Sequence, residues 1–554
     1  MPVQVSLLFD GDTRKARGAF FTPPALADFL ANWAVRTPGD RVLDPSCGEA
    51  ALLLAAGRRL RALGRKAPSV AGLDLHSPSI EVGRQLLAQA GVRGDLQQVD
   101  FFVEPSRPKF DAIIGNPPYI RYQSFAGDGR VKAQQAALAQ GVRLSGLANA
   151  WAAFVVHSSS FLKRGGRLAL VLPAVLLSVN YAAPVRKFLL QRFGSVKLVM
   201  FEERVFPEVQ EEVVLLFAEG TGGTPRFEVF QVKDLHGLTA IMDMPAAEAR
   251  PWTPTEADDK WTEALLPSAV ASLYSSLTTA GRFTELVNWG NPDLGMVTGN
   301  NKFFTLTAQE ANRLGLSRRE LLRISPPGSS HLRGLTFTDS AFDDLAREEK
   351  RVWLFNPSVD KPSKAALAYI ETGERDGVHL AYKCAVRTPW WRVPYVRVPD
   401  LFLTYMNQDA PRLVSNDAGA AHLNSVHGVT LKPELRDLGV EILPLAMLNS
   451  MTLLSAELVG RSYGGGLLKL EPKEAESLSL PSPELLVGVR DRLNGLRPQT
   501  SKHLRKNHLR EIVKMVDQVV LIDGLGLKPS ELESLDDAHE MMVTRRATRA
   551  GSPR

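Results

Sequence analysis

The chain contains the stretch Val42-Leu43-Asp44-Pro45-Ser46-Cys47-Gly48-Glu49-Ala50. Its apolar start predicts a short buried strand, which ends at an acidic residue and is followed by a tight turn and a helix. The glycine allows the backbone of this turn to approach a ligand closely. The turn lacks the GxGxxG spacing of dinucleotide sites and the Lys-Ser/Thr of phosphate-binding loops. A strand–turn–helix unit that binds nothing would look the same, so the neighbouring sequence has to distinguish the two interpretations.

From Arg41 to Phe217, short apolar runs alternate with longer helical patterns. This alternation predicts the α/β class, with a doubly wound, Rossmann-like parallel sheet. The predicted strands are Arg41–Leu43, Val70–Leu73, Leu96–Val99, Phe110–Ile114, Arg167–Leu172, Val196–Met200 and Val213–Phe217, and the predicted helices include Ala50–Leu63, Ile80–Ala90 and Ala150–Leu162. Open sheets of this kind bind ligands at the carboxyl ends of their strands, so the residues that follow the strands form the candidate site.

Acidic residues stand at the ends of three successive predicted strands. Asp44 follows the first strand, Asp74 the second and Asp100 the third, with Phe101 directly after it. An acid at the end of the second strand can accept hydrogen bonds from both hydroxyl groups of a ribose. Asp100 and Phe101 offer a carboxylate for an adenine amino group and a ring face for the base. One such acid is more often a turn residue or a helix cap, but three in successive turns favour a ligand site.

The fourth predicted strand runs into the loop Asn116-Pro117-Pro118-Tyr119, which its two consecutive prolines make stiff. A stiff loop with two neighbouring hydrogen-bond acceptors would suit one demanding reaction, methyl transfer to an amino nitrogen, which is hindered because the nitrogen lone pair is delocalised into the aromatic ring. The Asn116 side-chain oxygen and the Pro117 carbonyl can accept both N–H groups, which localises the lone pair and fixes the geometry of attack. Tyr119 can stack on the base. These four residues are the candidate catalytic motif, and the neutral Asn requires no general base before attack.

The order of these motifs resembles the class I S-adenosylmethionine-dependent methyltransferases, and among them the gamma-class N6-adenine DNA methyltransferases of restriction-modification systems. Gly18–Pro24 resembles their motif X, and Val205-Phe206-Pro207 resembles motif VIII. The resemblance implies S-adenosyl-L-methionine as methyl donor and no metal. It also implies a cofactor site with Thr22, Asp44 and Ser46 at the methionine end, Asp74 at the ribose, and Leu75, Asp100, Phe101 and Phe154 at the adenine. Phe206 would pack against the target base beside Tyr119.

The resemblance further implies a substrate, adenine N6 at specific sites in double-stranded DNA. That nitrogen is paired inside the duplex, so the base has to be flipped into the pocket, at a cost of a few kcal/mol. A separate DNA-gripping domain would supply this energy, and the long region beyond the catalytic half is the candidate. We expect restriction-modification or phage defence as the biological setting.

The domain boundary is predicted between Gly220 and Thr255, where Gly, Pro, Thr and acidic residues accumulate and periodicity fades. We expect a catalytic domain at 1–240, an α+β target-recognition domain at 250–484 and a helical segment at 485–554. Within the second of these, Gly295–Phe304 and Arg461–Gly466 resemble segments of target-recognition domains.

Three further regions are candidates for contacts with DNA. A β-like region, Tyr382–Tyr405, interleaves cations with aromatic residues, which is typical of nucleic-acid surfaces and equally of a β core with a charged outer face. The residues concerned are Tyr382, Lys383, Arg387, Trp390, Trp391, Arg392, Tyr395 and Arg397. A predicted basic helix, Lys502–Leu521, offers Lys502, Arg505, Lys506, Arg510 and Lys514 to phosphates or to solvent. The polar insertion Arg121–Gly146 is predicted to be a mobile lid that orders on DNA binding.

Composition sets further limits. The chain has 554 residues, 44% hydrophobic and 23% charged, which is ordinary for a globular protein of several domains. The longest apolar run, Leu168–Val179, is too short to cross a bilayer, and the N-terminus has no signal-peptide pattern, so we expect the cytoplasm of a bacterium or archaeon. Two cysteines cannot build a disulfide framework or a thiolate metal cluster. The net charge of +6 is compatible with a polyanionic partner. The resemblance implies double-stranded DNA as this partner, with a cognate restriction endonuclease as a second candidate. We expect a monomer and no contact with a membrane.

Other functions remain open at this level. The catalytic motif also serves enzymes that methylate RNA adenine or protein glutamine, and N4-cytosine methylation of DNA is a further alternative. A non-catalytic DNA-binding specificity subunit with a degenerate methyltransferase fold is the non-enzymatic alternative. The long C-terminal region favours DNA. The intact Asp44, Asp74, Asn116 and Tyr119 favour an enzyme.

Overall fold

The computed structural model of the protein describes residues 22–120, 125, 127–202, 205, 212–244, 248–254 and 256–549. The chain forms two compact units, Met1–Leu265 and Leu266–Arg554. The segment Gly220–Thr255, where the sequence pattern weakens, lies within the first unit and contributes two strands to its sheet.

A nine-stranded sheet forms the centre of the first unit, in the order β3-β2-β1-β4-β5-β7-β6-β8-β9. Its strands are β1 (Val42–Asp44), β2 (Ser69–Asp74), β3 (Arg93–Gln98), β4 (Phe110–Gly115), β5 (Leu162–Pro173), β6 (Ser195–Phe201), β7 (Val213–Glu219), β8 (Phe227–Val232) and β9 (Arg250–Trp252). All seven predicted strands are present, which confirms the α/β class. The sheet places the carboxyl ends of β1, β2, β3 and β4 side by side.

The prediction of a parallel sheet was wrong at two strands, β7 and the edge strand β9, which runs antiparallel to β8. Strand β7 runs antiparallel to both of its neighbours, β5 and β6. Parallel neighbours are usually joined by a crossover helix, and no described helix lies between Phe201 and Val213. Strands β5 and β7 are buried along almost their whole length, as their apolar runs require.

The described helices of the first unit are α1 (Pro24–Ala34), α2 (Ala51–Ala62), α3 (Ser77–Gln89), α4 (Gly127–Leu138), α5 (Ala150–Ser158) and α6 (Ala183–Arg192). Helix α1 begins with a proline, whose missing N–H is no loss in the first turn. Helix α5 ends at Ser158, four residues before the predicted Leu162, and a 3-10 turn, Ser159–Phe161, leads from it into β5. Helix α4 occupies the middle of the predicted lid, so this insertion is not a polar loop throughout.

The second unit combines small antiparallel sheets with helices. Its strands are β10 (Phe283–Glu285), β11 (Gly290–Leu294), β12 (Thr305–Leu306), β13 (Leu321–Arg323), β14 (Trp353–Phe355), β15 (Leu401–Thr404), β16 (Met406–Asn407), β17 (Leu413–Ser415), β18 (Val426–Leu431), β19 (Arg461–Tyr463), β20 (Leu467–Lys469) and β21 (Ser479–Pro481). They form sheets in the orders β11-β18-β15-β17, β12-β14-β13, β16-β20-β19 and β10-β21.

The helices of the second unit are α7 (Ser268–Thr279), α8 (Leu286–Trp289), α9 (Asn301–Phe304), α10 (Ala308–Arg313), α11 (Asp339–Arg347), α12 (Lys364–Arg375), α13 (Tyr382–Ala385), α14 (Arg436–Ala446), α15 (Ser450–Val459), α16 (Pro472–Glu476), α17 (Pro483–Arg505), α18 (Leu509–Asp517) and α19 (Pro529–Arg549). A π-helical turn, Gln518–Asp523, extends α18. The α+β character predicted for this region is present.

Two local predictions for the second unit were wrong. Tyr382–Tyr405 is not a run of strands, since it begins with the short helix α13, continues without regular structure and reaches a strand only at Leu401. The predicted basic helix Lys502–Leu521 is broken after Arg505, where α17 ends, and Asn507 adopts a left-handed φ of 56° before α18 begins. A periodic pattern of charges does not register such a break, because both helices continue the same polar composition.

No single helix in the described part of the chain is both long and apolar enough to cross a membrane, whereas one pair broken by a 90° bend, Pro433–Ala446 and Ser450–Val459, meets those criteria jointly. Both helices of the pair are largely buried in the second unit. Within the same described residues, no group of three or more His, Cys, Asp or Glu side chains is arranged to hold a metal ion.

Candidate functional site

The turn after β1 carries a buried acid. Asp44 is only 1% exposed, and its Oδ1 accepts a hydrogen bond from the backbone N–H of Ser46 at 3.0 Å. Burial raises the pKa of this carboxyl to about 8, and the nearby carboxylate of Asp74 acts in the same direction. The Oγ atom of Ser46 is itself buried, and no hydrogen-bond partner for it lies among the described residues. The turn therefore presents a proton-holding carboxyl and an unused hydroxyl group side by side.

The same turn orients Asp74 at the end of β2. The backbone N–H of Gly48 donates to Asp74 Oδ2 and that of His76 donates to Oδ1, both at 2.8 Å. Gly48 has a φ of 48°, and a Cβ added there would meet no atom within 4 Å. Ala50 holds a left-handed φ of 66°, which costs about 1–2 kcal/mol for a residue with a Cβ. The backbone of this turn therefore leaves an empty space beside the carboxylate of Asp74.

Aromatic rings gather at the end of β3. The ring of Phe101 stacks on that of Phe154 from α5, with centroids 5.3 Å apart and planes 22° apart. The rings of His157 and Phe161 lie 4.6 and 5.2 Å from it. The predicted partners Phe101 and Phe154 are therefore brought together by the fold. Leu75, also predicted to contact adenine, is 67% exposed beside Asp74 and keeps an apolar side chain in water.

Asp100 has a partner that the sequence did not reveal. Its Oδ1 accepts the backbone N–H of Phe102 at 3.0 Å, as a cap for the short turn that follows β3. Its Oδ2 accepts a hydrogen bond from Lys132 Nζ at 3.3 Å. Lys132 lies on α4, which contacts the Phe101–Val103 turn and α5. A lysine in a polar insertion gives no signal of this pairing, because the contact depends on how α4 folds back.

The loop after β4 holds the predicted catalytic residues. The Nδ2 group of Asn116 donates to Thr22 Oγ1 at 3.3 Å, and Thr22 is buried at the start of the described chain. The Oδ1 atom of Asn116 is buried and has no hydrogen-bond partner within the described residues. Tyr119 is 6% exposed and packs with the core of the first unit. The side-chain amide is therefore held by its nitrogen with its oxygen unused.

The loop after β4 and the turn after β1 are adjacent. A Cβ built on Gly115, the residue before Asn116, would lie 3.5 Å from Asp44 Oδ1 and 3.4 Å from Pro45 Cδ. On the other side, the N–H of Ala150 at the start of α5 donates to the carbonyl of Ile120 at 3.3 Å. The fold thus gathers the ends of β1, β2 and β4 at one edge. Phe206 and the motif X residues 18–21 lie outside the described residues.

The candidate DNA-contact residues of the second unit fall into two groups. Arg387 and Arg392 donate to backbone carbonyls, and Trp390 Nε1 donates to Glu374. Tyr382, Lys383, Tyr395 and Arg397 are exposed. Among the other candidates, Lys502, Arg505, Lys506, Arg510 and Lys514 are exposed, and Arg510 pairs with Glu540. In the segment Arg461–Gly466, Arg461 binds the buried Glu474 while the side chain of Tyr463 is exposed.

These features define a class of protein: an α/β methyltransferase fold with a C-terminal α+β domain. Comparison with known proteins agrees along both halves of the chain. Residues 8–232 match the family model "N-6 DNA Methylase", and residues 258–521 match "Type II methyltransferase M.Eco57I, C-terminal domain".

Curated relatives extend over most of the chain. The Type II methyltransferase M.XamI of Xanthomonas campestris pv. amaranthicola is 26% identical over 87% of this chain and 88% of its own. The Type II methyltransferase M.AccI of Acinetobacter calcoaceticus is 23% identical over 83% and 84%. The Type IIL restriction-modification enzyme MmeI, solved in complex with DNA, aligns with 96% of this chain and 80% of its own at a TM-score of 0.53 and 12% identity, which shows a shared fold. The chain belongs to the DNA methyltransferases of restriction-modification systems.

Proposed function

We propose that this protein transfers a methyl group from S-adenosyl-L-methionine to the N6 amino group of adenine at specific sites in double-stranded DNA, as a gamma-class enzyme. The observation that carries the proposal is the side-chain amide of Asn116. Its nitrogen is held by Thr22, and its oxygen is buried with no partner among the described residues. A buried acceptor without a donor costs about 1–3 kcal/mol, so an arriving amino group would recover that loss.

The residues at the end of β1 and β2 fit the methyl donor. The hydroxyl of Ser46 and the carboxyl of Asp44 together suit the methionine end of the donor, which carries an amino group and a carboxylate. The carboxylate of Asp74, held by two backbone N–H groups, suits the two ribose hydroxyls. The open space at Gly48 admits a ligand against the backbone. Phe101, Phe154 and the exposed Leu75 provide an apolar site for adenine, with Asp100 as acceptor for its amino group. When bound, the donor supplies an electrophilic methyl group on a sulfonium.

The chain's own residues then position the acceptor nitrogen. Asn116 Oδ1 and the Pro117 carbonyl accept its two N–H groups, which turns the lone pair out of conjugation and towards the methyl group. A nitrogen–carbon bond forms as the carbon–sulfur bond breaks, and the sulfur keeps that electron pair. The nitrogen loses one proton to solvent, because methylation has made it acidic. Asn116 stays neutral throughout, and Tyr119 is proposed to stack on the base.

Duplex DNA requires that the target base leave the helix, and we propose base flipping for this step. The proposed division of labour gives methyl transfer to the first unit and sequence reading to the second, as a domain of that size allows. The proposed setting is restriction-modification in the cytoplasm of a bacterium or archaeon, with a cognate endonuclease as partner and the methyltransferase as a monomer. The names of the relatives support the setting, since they are Type II methyltransferases.

Transfer of tritiated methyl groups from labelled donor tests the proposal. Fragmented genomic DNA that lacks adenine methylation is the main acceptor, with RNA and protein as parallel acceptors. We expect label in DNA, recovered as N6-methyladenine, and modification-sensitive sequencing that reports one recognition sequence. Label in N4-methylcytosine, RNA or protein would overturn the proposed substrate.

Variants at one position test the mechanism in the same assay. Asn116→Ala is expected to lose activity by a factor of about a thousand, the scale of losing an aimed hydrogen-bond partner in a transition state. Asn312→Ala, an exposed helix position in the second unit, is the matched control and should equal wild type. Melting temperatures and donor binding of Asn116→Ala show whether it is folded. Equal activity of a folded Asn116→Ala and wild type would contradict the proposed role.

A further inference from the structure

Two segments that the sequence marks separately contact each other in the second unit. Arg387 donates from Nη1 to the carbonyl of Thr298 at 2.7 Å and from Nη2 to that of Val297. Cys384 Sγ donates to the same Thr298 carbonyl at 3.7 Å. A Cβ built on Gly299 would lie only 2.9 Å from the Cβ of Lys383. The loop that leads into α9 therefore packs against the segment that contains α13.

This surface exposes an unusual set of apolar side chains. Tyr382, Leu380 and Val386 are 76%, 72% and 66% exposed, which makes them the three most exposed large hydrophobic residues of the second unit among the described residues. Lys383 lies next to them, with its Nζ 5.5 Å from the Tyr382 ring centroid. We call the exposed residues of these two adjoining segments the Tyr382 surface; they are Leu380, Tyr382, Lys383 and Val386 in one and Asn301 and Lys302 at the start of α9 in the other. Exposed apolar groups of this size in one place are typical of a contact surface.

The segment that carries the Tyr382 surface is rich in positive charge. Residues 377–399 contain four cations, at Lys383, Arg387, Arg392 and Arg397, and no Asp or Glu. Arg387 and Arg392 donate to backbone carbonyls, which satisfies their hydrogen bonds but leaves their charges in place. Neither these four cations nor Lys302 has a carboxylate within 4 Å in the part of the chain that the structure describes. A partner that covers this surface has to bring negative charge.

We propose that the Tyr382 surface binds duplex DNA, with Lys302 and Lys383 at phosphates and with Tyr382 and Leu380 against the sugars and base edges. This inference rests on the proposed function, and it assigns DNA contact to specific residues. Uncompensated cations beside an exposed aromatic ring match a polyanion with apolar groove walls better than they match a protein surface. Arg387 has a different part, since it is bonded inward and positions the surface without touching DNA.

Fluorescence anisotropy of the full chain with a labelled mixed-sequence DNA duplex, over a series of salt concentrations, tests this assignment. The logarithm of the affinity falls as the logarithm of the salt concentration rises, and each lost phosphate contact makes the slope of this fall less steep by about 0.9. Lys302→Ala/Lys383→Ala is therefore expected to lower the slope by about 1.8, so that raising salt from about 50 to 200 mM weakens wild type about tenfold more than the double variant. Tyr382→Ser is expected to lower affinity several-fold and leave the slope unchanged.

Matched controls lie elsewhere on the same unit. Lys528→Ala removes an exposed lysine and Val487→Ser an exposed valine, and both should bind like wild type. If the Tyr382 surface variants also bind and respond to salt like wild type, the assignment is wrong, and a protein partner becomes the better explanation of the surface. Methyl transfer by wild type is measured alongside. Failure of wild type to methylate any acceptor would overturn the proposed function, whereas active wild type with unaffected variants overturns only the surface.

Discussion

Asp44 is expected to destabilise the folded protein at neutral and alkaline pH, and Asp44→Asn is expected to remove that effect. The carboxyl group is buried at the end of β1 beside Asp74, and this burial raises its pKa from 3.8 to about 8. In the unfolded chain the same group faces water and ionises near about pH 4. Folding therefore takes up a proton at Asp44 between about pH 4 and about pH 8.

The magnitude follows from the two pKa values. Each pKa unit corresponds to about 1.4 kcal/mol, so the difference between pH 7 and the unfolded-state pKa of 3.8 amounts to ~4 kcal/mol of unfolding free energy. Because the folded-state pKa is the higher one, the contribution to stability is fully present below about pH 4 and is lost as the pH rises towards about 8. Asn offers the same oxygen to the Ser46 N–H and cannot ionise. The variant is thus expected to exceed wild type at pH 7 by up to ~4 kcal/mol.

Thermal unfolding without cofactor, recorded across this pH range, measures the difference. Buried histidines such as His331 and His422, whose pKa values burial lowers to about 4, stabilise the fold in the opposite direction as the pH rises, but they are present in both proteins. The expected signal is therefore the difference: the melting temperature of Asp44→Asn should exceed that of wild type by a gap that widens up to about pH 8. Asp517, whose pKa burial raises to about 7 in the second unit, contributes with the same sign but is present in both proteins and cancels. Asp376→Asn, at an exposed position, should follow wild type.

Parallel pH profiles for wild type and Asp44→Asn would refute the reasoning, since they would mean that Asp44 has the same proton affinity folded and unfolded. Donor binding gives a second readout. The stabilised variant is expected to bind S-adenosylhomocysteine more weakly, because the proposed methionine site loses its carboxyl. A variant that gained stability and kept its affinity would confirm the raised pKa of Asp44 and contradict its proposed role in binding the donor.

Three further predictions concern single contacts. Lys132→Met should tighten the binding of S-adenosylhomocysteine about two- to fivefold, measured by calorimetry. The variant frees an oxygen of Asp100 from a part-exposed ion pair worth ~1 kcal/mol or less. Weaker binding would mean that the lysine assists the site. Thr22→Val should lower kcat about tenfold or more and leave KM for DNA unchanged, because Asn116 loses the bond that orients it; an unchanged kcat would contradict this. Arg546→Met should destabilise the second unit by about 3–5 kcal/mol in urea unfolding, because it strands a buried carboxylate; a loss below about 1 kcal/mol would show that the site tolerates the charge.

The first unit could be predicted well from sequence because its strands are central and buried. Strands such as β5 and β7 are covered on both faces, so they appear as continuous apolar runs with sharp ends. The antiparallel direction of β7 could not be derived, because an apolar run does not indicate in which direction the strand crosses the sheet. Strands β8 and β9 lie at the far edge of the sheet among Gly, Pro and acidic residues, where composition resembles a linker.

Predictions were less successful where a residue's partner is distant in the chain. The aromatic, cation-rich composition at Tyr382–Arg397 suggested strands, yet these side chains are organised by Arg387 and Arg392 bonding to carbonyls of other loops. The pairing of Lys132 with Asp100 joins positions 32 residues apart through a helix packed by small alanines. Neither arrangement produces a periodic pattern in the sequence, because each depends on individual polar contacts.

The strongest argument for a ligand site is the concentration of unfavourable features in one place. Unpartnered buried atoms also occur in the core, as at Trp261, so the unused oxygen of Asn116 alone would not define a site. At the edge formed by β1 and β4, however, it lies near a carboxyl forced towards protonation, an unused hydroxyl at Ser46 and a left-handed Ala50. Each of these costs free energy in the absence of a ligand, and local rules are broken together where function requires it. A ligand that offers donors to Asn116 and Ser46 and positive charge near Asp44 would relieve several of these costs at once, which is the demand that a methyl donor and an amino-group acceptor meet together.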